Sequence, residues 1–149
     1  MTTYVCGFLF SPDLNRVVLI RKNRGPRQMA GKFNGIGGKI EIGESPRGAM
    51  SREFFEEAGV DINPLDWTNF HTERYYRDTN NKVYFMCAQV SDSLINSCQT
   101  MESEEVVIVD VWNDLTLNLG QMPKMYNLSY LIPMAISWLN NPDDHFFEG

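Results

Sequence analysis

Apolar positions fall into two rhythms along the chain. Tyr4 to Phe10 and Arg16 to Ile20 are β-rich runs around a Ser11-Pro12-Asp13 turn, so they predict two strands opening the domain as a hairpin. Trp67 to Arg77 and Lys82 to Val90, around Asp78-Thr79-Asn80-Asn81, predict a second hairpin. Its segment Val83-Tyr84-Phe85-Met86-Cys87-Ala88 is apolar at odd and even positions alike, as expected of a central strand in a sheet covered on both faces. Val106 to Trp112 predicts one more strand. The helical rhythm appears at Leu128, Leu131, Ile132, Ala135, Ile136 and Leu139, where Pro133 must kink the helix or delay its start. Ser45-Pro46 supplies a capping serine and an N1 proline, and Gly59 a stop, which together predict a helix from Pro46 to Ala58. Between these elements Asn23 to Gly38 holds six glycines and prolines, and is expected to be loop with one short extended piece around Phe33. The strand covered on both faces favours a three-layer α/β/α sandwich, and the fold class expected is α+β with a mixed sheet between helices.

Composition narrows this picture. The 149 residues, 43% hydrophobic, suit a single domain covering 1–149 whose core needs no disulfide or structural metal. The longest apolar runs, Val5 to Phe10, Val17 to Ile20 and Val106 to Val109, fall far short of the ~20 residues of a membrane span. Met1-Thr2-Thr3-Tyr4 lacks a basic leader, so a cytoplasmic setting is expected, with no membrane partner. Cys6, Cys87 and Cys98 form no C-x-x-C pair, which argues against a disulfide framework or a zinc site. The tail from Asn140 to Gly149 is expected to fray.

Charge is segregated. Seven cations and no acid lie between Leu14 and Ile40, five acids and two cations between Glu41 and Val60, and eight acids against Lys124 from Thr100 onward. These blocks read either as solvated faces or as a cationic wall facing a carboxylate cluster, the arrangement a polyphosphate ligand needs. A net charge of -6 argues against broad nucleic-acid affinity. Within the predicted helix, Glu53, Glu56 and Glu57 stand at i, i+3 and i+4, confined to an arc of ~100 degrees. Like charges so close repel, and only Arg52 offsets them locally. That clustering points to a bound cation, and the all-oxygen donor set selects magnesium or manganese over zinc.

The spacing around these acids is more restrictive. Gly38, Glu44, Arg52-Glu53-Phe54, Glu56-Glu57 and Gly59-Val60 stand five, seven, one and one residues apart, a pattern of 23 residues that resembles the signature of the Nudix hydrolases. Phe54 stands where the family usually has an aliphatic residue. The preceding Gly31-Lys32-Phe33-Asn34-Gly35-Ile36-Gly37-Gly38-Lys39 resembles the MutT-like branch that sanitises nucleotide pools. The resemblance implies hydrolysis of a nucleoside diphosphate linked to another group, most simply a nucleoside triphosphate cut to monophosphate and pyrophosphate. It implies that Glu53, Glu56 and Glu57, with a backbone carbonyl of Gly37 or Gly38, hold the metal. Glu53 is the chosen general base, with Glu105 its rival and a further metal ligand. Glu105 belongs to Glu102-Ser103-Glu104-Glu105, which can equally be an exposed acidic turn. Arg52 is expected to orient the glutamates through salt bridges, with Glu44 in support.

For the nucleotide, Lys22 and Lys39 are candidates for phosphate contacts, while Arg24, Arg27 and Lys32 read as solvated loop cations. Asn34 resembles in position an asparagine that reads the purine edge in oxidised-purine triphosphatases. Those relatives carry paired aspartates before the last helix, where this chain has Asn127-Leu128. Asn127 is either a base reader or a cap of that helix. Two other readings stay open: a dinucleoside polyphosphate hydrolase, with Tyr76 stacking a base, and a non-catalytic nucleotide-binding module on the same fold.

Overall fold

A computed structural model of the chain describes residues 1–22, 31–75, 80–117 and 127–142, with the side chains of 115–117 left aside. Arg24, Arg27, Tyr76, most of the glycine-rich stretch before Gly31, and the end of the tail lie outside the described residues. The strands are β1 (Thr2–Phe10), β2 (Arg16–Arg21), β3 (Phe33–Asn34), β4 (Ile36–Lys39), β5 (Thr68–Tyr75), β6 (Asn81–Gln89) and β7 (Glu105–Asp110). The α-helices are α1 (Pro46–Ala58), α2 (Asp92–Ser97) and α3 (Leu128–Asn140). The sheet runs β3-β2-β1-β6-β5, with β4 also paired to β1 and β7 to β2. β1 and β6 are parallel through their whole length, from Thr2 opposite Asn81 to Phe10 opposite Gln89, and the other pairings are antiparallel.

The period of two explains the layering. On β1, β2 and β6, Val5, Leu9, Val18, Ile20, Met86 and Ala88 face one way, packing with Met50 and Phe54 of α1 and Ile95 of α2. The alternate residues Cys6, Phe8, Val17, Leu19, Phe85 and Cys87 face the other way, packing with Leu128, Leu131, Ile132 and Ala135 of α3. Each strand is therefore apolar throughout because both faces are covered. The mixed sheet between helices expected from the sequence is the architecture found.

Several boundaries differ from expectation. Ile36 to Lys39 is strand, because Gly37 lets β4 lie against β1: a side chain there would drive into the Val5 backbone. β7 ends at Asp110, and the chain turns into a π-helical segment at Val111–Leu117. Asp114 and Asn15 side-chain oxygens accept from the backbone N–H groups of Asp110 and Trp112, replacing ladder bonds. Pro133 neither ends α3 nor delays its start, since it sits on the exposed side while Leu128, Leu131, Ile132 and Ala135 anchor the buried one. α2 escaped the sequence reading, although its cap is legible: the Ser91 hydroxyl accepts from Leu94 N–H. No helix among the described residues is long and apolar enough to cross a membrane.

Candidate active site

α1 spans Pro46–Ala58 as its end signals require. Ser45 Oγ accepts from Gly48 N–H at 3.0 Å, Pro46 stands in the first turn, and Gly59 takes the left-handed conformation at φ 75. Burial of Ala49, Met50, Phe54 and Ala58 turns Glu53, Glu56 and Glu57 toward β4. The approach is so close that any side chain at Gly38 would meet the Glu53 carboxylate. Arg52 organises the acids. Its Nε and Nη2 donate to the two oxygens of Glu44 at 2.6 and 3.0 Å, and Nη1 donates to Glu53 Oε1 at 3.0 Å and to Glu56 Oε2 at 3.3 Å. Nη2 also donates to the Lys39 carbonyl at 3.0 Å, tying the helix to the end of β4. The paired Arg52 holds the Glu44 carboxyl below the usual range.

Glu57 is the outlier. Burial first, then the charges of Glu53 and Glu102, push its carboxyl up to about 8, against a smaller opposing pull from Lys22. Its Oε2 is buried and has no hydrogen-bond partner. Burial also raises the Glu53 carboxyl, with Arg52 opposing. Among the described residues no three acidic, histidine or cysteine groups are already drawn together as a closed metal site. The donor set nevertheless fits a divalent cation. It is all oxygen, carries excess negative charge, and leaves one buried oxygen orphaned.

That burial makes a testable stability statement. The Glu57 carboxyl has an ordinary value of 4.5 in an unfolded chain and about 8 when folded, so the metal-free folded state holds the extra proton between those limits. Its stability should therefore fall as pH rises through that window. Thermal melts of the chelated protein should show the decline, and Glu57→Gln should flatten it. Parallel profiles for the two proteins would count against the assignment.

Glu105 opens β7 opposite Arg21, and strand alternation puts it in phase with Val107 and Val109, which face α3. The charges of Glu102 and Glu104, in the turn before β7, also raise the Glu57 carboxyl. Sequence spacing could not fix that phase, because it depends on where β7 begins.

A cleft of about 610 Å³ continues from this cluster along β1 and β6 toward α3. Gly37 and Gly38 line it at the glutamate end, with Lys22 nearby, and Asn34 and Asn127 line it farther along. Lys39 does not line it: its side chain is exposed and its carbonyl serves Arg52. Asn34 Oδ1 accepts from Gly35 N–H at 2.8 Å and faces the Cys6 thiol, which leaves its Nδ2 hydrogens to offer a ligand. Asn127 occupies the cap position of α3 but makes no capping bond, and its buried Oδ1 has no partner. Leaving such an acceptor bare costs ~1 to 3 kcal/mol, which a donor on a ligand would recover. The expected choice between cap and reader thus goes against the cap. Tyr4, Tyr75 and Phe85 also line the cleft and were not singled out as wall residues from the sequence. Tyr4 shares the phase of Cys6 on β1, but only the sheet pairing brings it beside Val83, another residue of the cleft wall. Burial pushes the Cys6 thiol up to about 12, which disfavours its thiolate.

The family model described as NUDIX domain matches residues 2–126. The oxidized purine nucleoside triphosphate hydrolase of Mus musculus is 29% identical over 132 residues, covering 89% of this chain and 69% of the mouse protein. The protein of the same name from Danio rerio is 46% identical over 50 residues, and that match spans 34% of this chain and 31% of the fish protein. Among solved structures, a MutT described from Aliivibrio salmonicida and Vibrio cholerae superposes with TM-score 0.66 at 20% identity, covering 91% of this chain and 96% of that one. The NUDIX domain of Shewanella oneidensis NrtR, complexed with ADP ribose, superposes with TM-score 0.72 at 20% identity, covering 92% and 87%. The family match over most of the chain and the intact glutamate helix lead to one conclusion: this chain belongs to the NUDIX domain family and is a Nudix hydrolase.

Proposed function

We propose that the chain hydrolyses nucleoside triphosphates to nucleoside monophosphate and pyrophosphate in the cytoplasm, as a MutT-like guardian of nucleotide pools. One observation carries this reading: a single cleft joins Gly37 and Gly38, beside the Glu53 carboxylate, to the amides of Asn34 and Asn127. That span suits a polyphosphate at one end and a base at the other. The names of the mouse and zebrafish relatives support the same substrate class. A free-thiol set, Cys6, Cys87 and Cys98, agrees with a reducing compartment.

Nudix hydrolases work with a divalent metal. Here Glu53, Glu56 and Glu57, with a carbonyl of Gly37 or Gly38, would hold magnesium or manganese, supplying phosphate neutralisation and a more acidic water. Glu53 takes the proton as water attacks phosphorus at the α–β linkage. The new P–O bond forms as the bridging P–O bond breaks, and pyrophosphate leaves. Arg52 holds Glu53 and Glu56 in place without touching substrate. Lys22, on the cleft wall, meets phosphate. A later carboxylate from the run Glu102-Ser103-Glu104-Glu105, with Glu105 at the start of β7 as the choice, would add a further ligand and is the rival base.

Asn34 and Asn127 read the base edge. Buried Leu128 follows Asn127, so the pocket lacks the paired acids that would hold the donor edge of an oxidised guanine. Hydrogen-bonding sites can reject analogues by ~10⁴-fold, whereas apolar contacts supply ~10 to 200-fold. Several ordinary nucleoside triphosphates should therefore fall within ~10²-fold of one another in kcat/KM. A substrate panel with product analysis tests the whole reading. A preference above ~10³-fold for oxidised over ordinary deoxyguanosine triphosphate would overturn the selectivity argument. Tyr75 on the cleft wall favours a second reading, a dinucleoside polyphosphate hydrolase, which would release a nucleoside triphosphate instead. A pure nucleotide-binding module would turn over nothing on the panel.

A further inference from the structure

β5 carries an irregularity that re-aims its outer half. Asn69 pairs with Met86 but His71 pairs with Phe85, so Phe70 is an extra residue in the ladder. Asn69 is thus in phase with Met86, on the α1 side of the sheet. Beyond the bulge Phe70 is buried with the α3 cluster, and the His71 ring stacks 5.9 Å from that of Phe85. Glu73 and Tyr75 follow His71 at intervals of two and share its face.

Glu73 is the hub of that face. Its Oε2 accepts from the Tyr75 hydroxyl at 2.5 Å, and its Oε1 accepts from His71 Nε2 at 3.1 Å, in the tautomer protonated there, and from the Tyr130 hydroxyl of α3. The His71 and Tyr130 rings also meet edge to face, with centroids 6.3 Å apart. Burial alone would raise this carboxyl, yet hydrogen bonds from Tyr130, Tyr75 and His71 hold it below the usual range, so it is ionised and its bonds are charge-assisted. Both of its tyrosine partners lead to the cleft. Tyr75 lines it directly, and Tyr130 lies in the first turn of α3, where the backbone N–H groups of Tyr130 and Leu131 donate to the Asn127 carbonyl at 3.2 and 2.9 Å.

We propose that Glu73 is a positioning residue of the nucleotide cleft, clamping the Tyr75 wall on β5 to the first turn of α3 so that the Asn127 amide is held facing the ligand. This inference rests on reading the cleft as the nucleotide site. Glu73 itself does not line the cleft, and its effect is transmitted through Tyr75 and Asn127. The arrangement separates binding from chemistry. The clamp governs the base end, while the reacting linkage lies at the Gly38 and Glu53 end.

Two variants test it, Glu73→Ala, which removes the hub, and Tyr130→Phe, which removes the α3 bond to Glu73 and keeps the ring. Amide hydrogen exchange at Tyr130 and Leu131 should accelerate at least ~10-fold in both, with α1 amides such as that of Phe54 unchanged. KM for deoxyguanosine triphosphate should rise ~10-fold with kcat within ~3-fold of wild type, the split expected when uniform binding is lost. Unchanged exchange at Tyr130 and Leu131 would overturn the clamp. Faster exchange with unchanged KM would overturn its role in positioning. Failure of the wild-type protein to hydrolyse any nucleoside triphosphate would instead sink the proposed reaction, and the exchange measurement, which needs no nucleotide, would then decide the clamp alone.

Discussion

Chelation of divalent cations should reduce hydrolysis to background, and magnesium or manganese should restore it. Among the described residues the carboxylates of α1 are left short of compensating charge. Arg52 is shared among Glu44, Glu53 and Glu56, and Glu57 keeps a buried oxygen without a partner. A cation of two charges relieves both deficits, and oxygen-only donors select a hard ion. Binding should register in stability as well as rate, because a ligand present at 100 times its Kd adds about 2.7 kcal/mol to the folded state. Calcium should bind and stabilise yet support little turnover, since its looser coordination positions the attacking water less strictly. Full activity in excess chelator would sink the metal mechanism.

Glu53→Gln should lower kcat by at least ~10²-fold, the scale of a positioned base. Glu53 is the acid pressed against Gly38 at the cleft, and burial raises its carboxyl toward a range useful for accepting a proton. The amide keeps the shape and the hydrogen bond from Arg52 but cannot take the proton. The fold should survive or become firmer, because one of three crowded negative charges is gone. Glu56→Gln and Glu57→Gln should lose activity comparably, but with weaker metal binding that excess magnesium partly rescues, whereas Glu53→Gln should resist rescue. Near wild-type rates for all three in saturating magnesium would refute the assignment.

Much of the active helix was legible without coordinates. Ser45, Pro46 and Gly59 are end signals acting over a few residues, and the apolar positions Met50, Phe54 and Ala58 set the face of α1 that docks. Glu53, Glu56 and Glu57 then share the remaining arc whatever the rest of the chain does. The two-faced strand β6 and the amphipathic α3 were legible for the same reason, because periodicity is read from neighbours in sequence. The expectation of a divalent cation followed from residue type.

What the sequence alone left open depends on contacts between residues distant in the chain. Gly37 belongs to a strand only because β1 lies against it. The face that Glu105 shares with Val107 and Val109 is set by where β7 begins on β2. The extra residue Phe70 reverses the faces of His71, Glu73 and Tyr75, and a one-residue shift in a period of two cannot be detected from composition. Asn127 could have capped α3, and only packing around it buries its oxygen without a partner. Local sequence therefore determined which helix carries the carboxylates, because caps and helical spacing act within a few turns. Sheet register and inter-element packing, fixed only when remote segments meet, decided which side chains share a cleft with them.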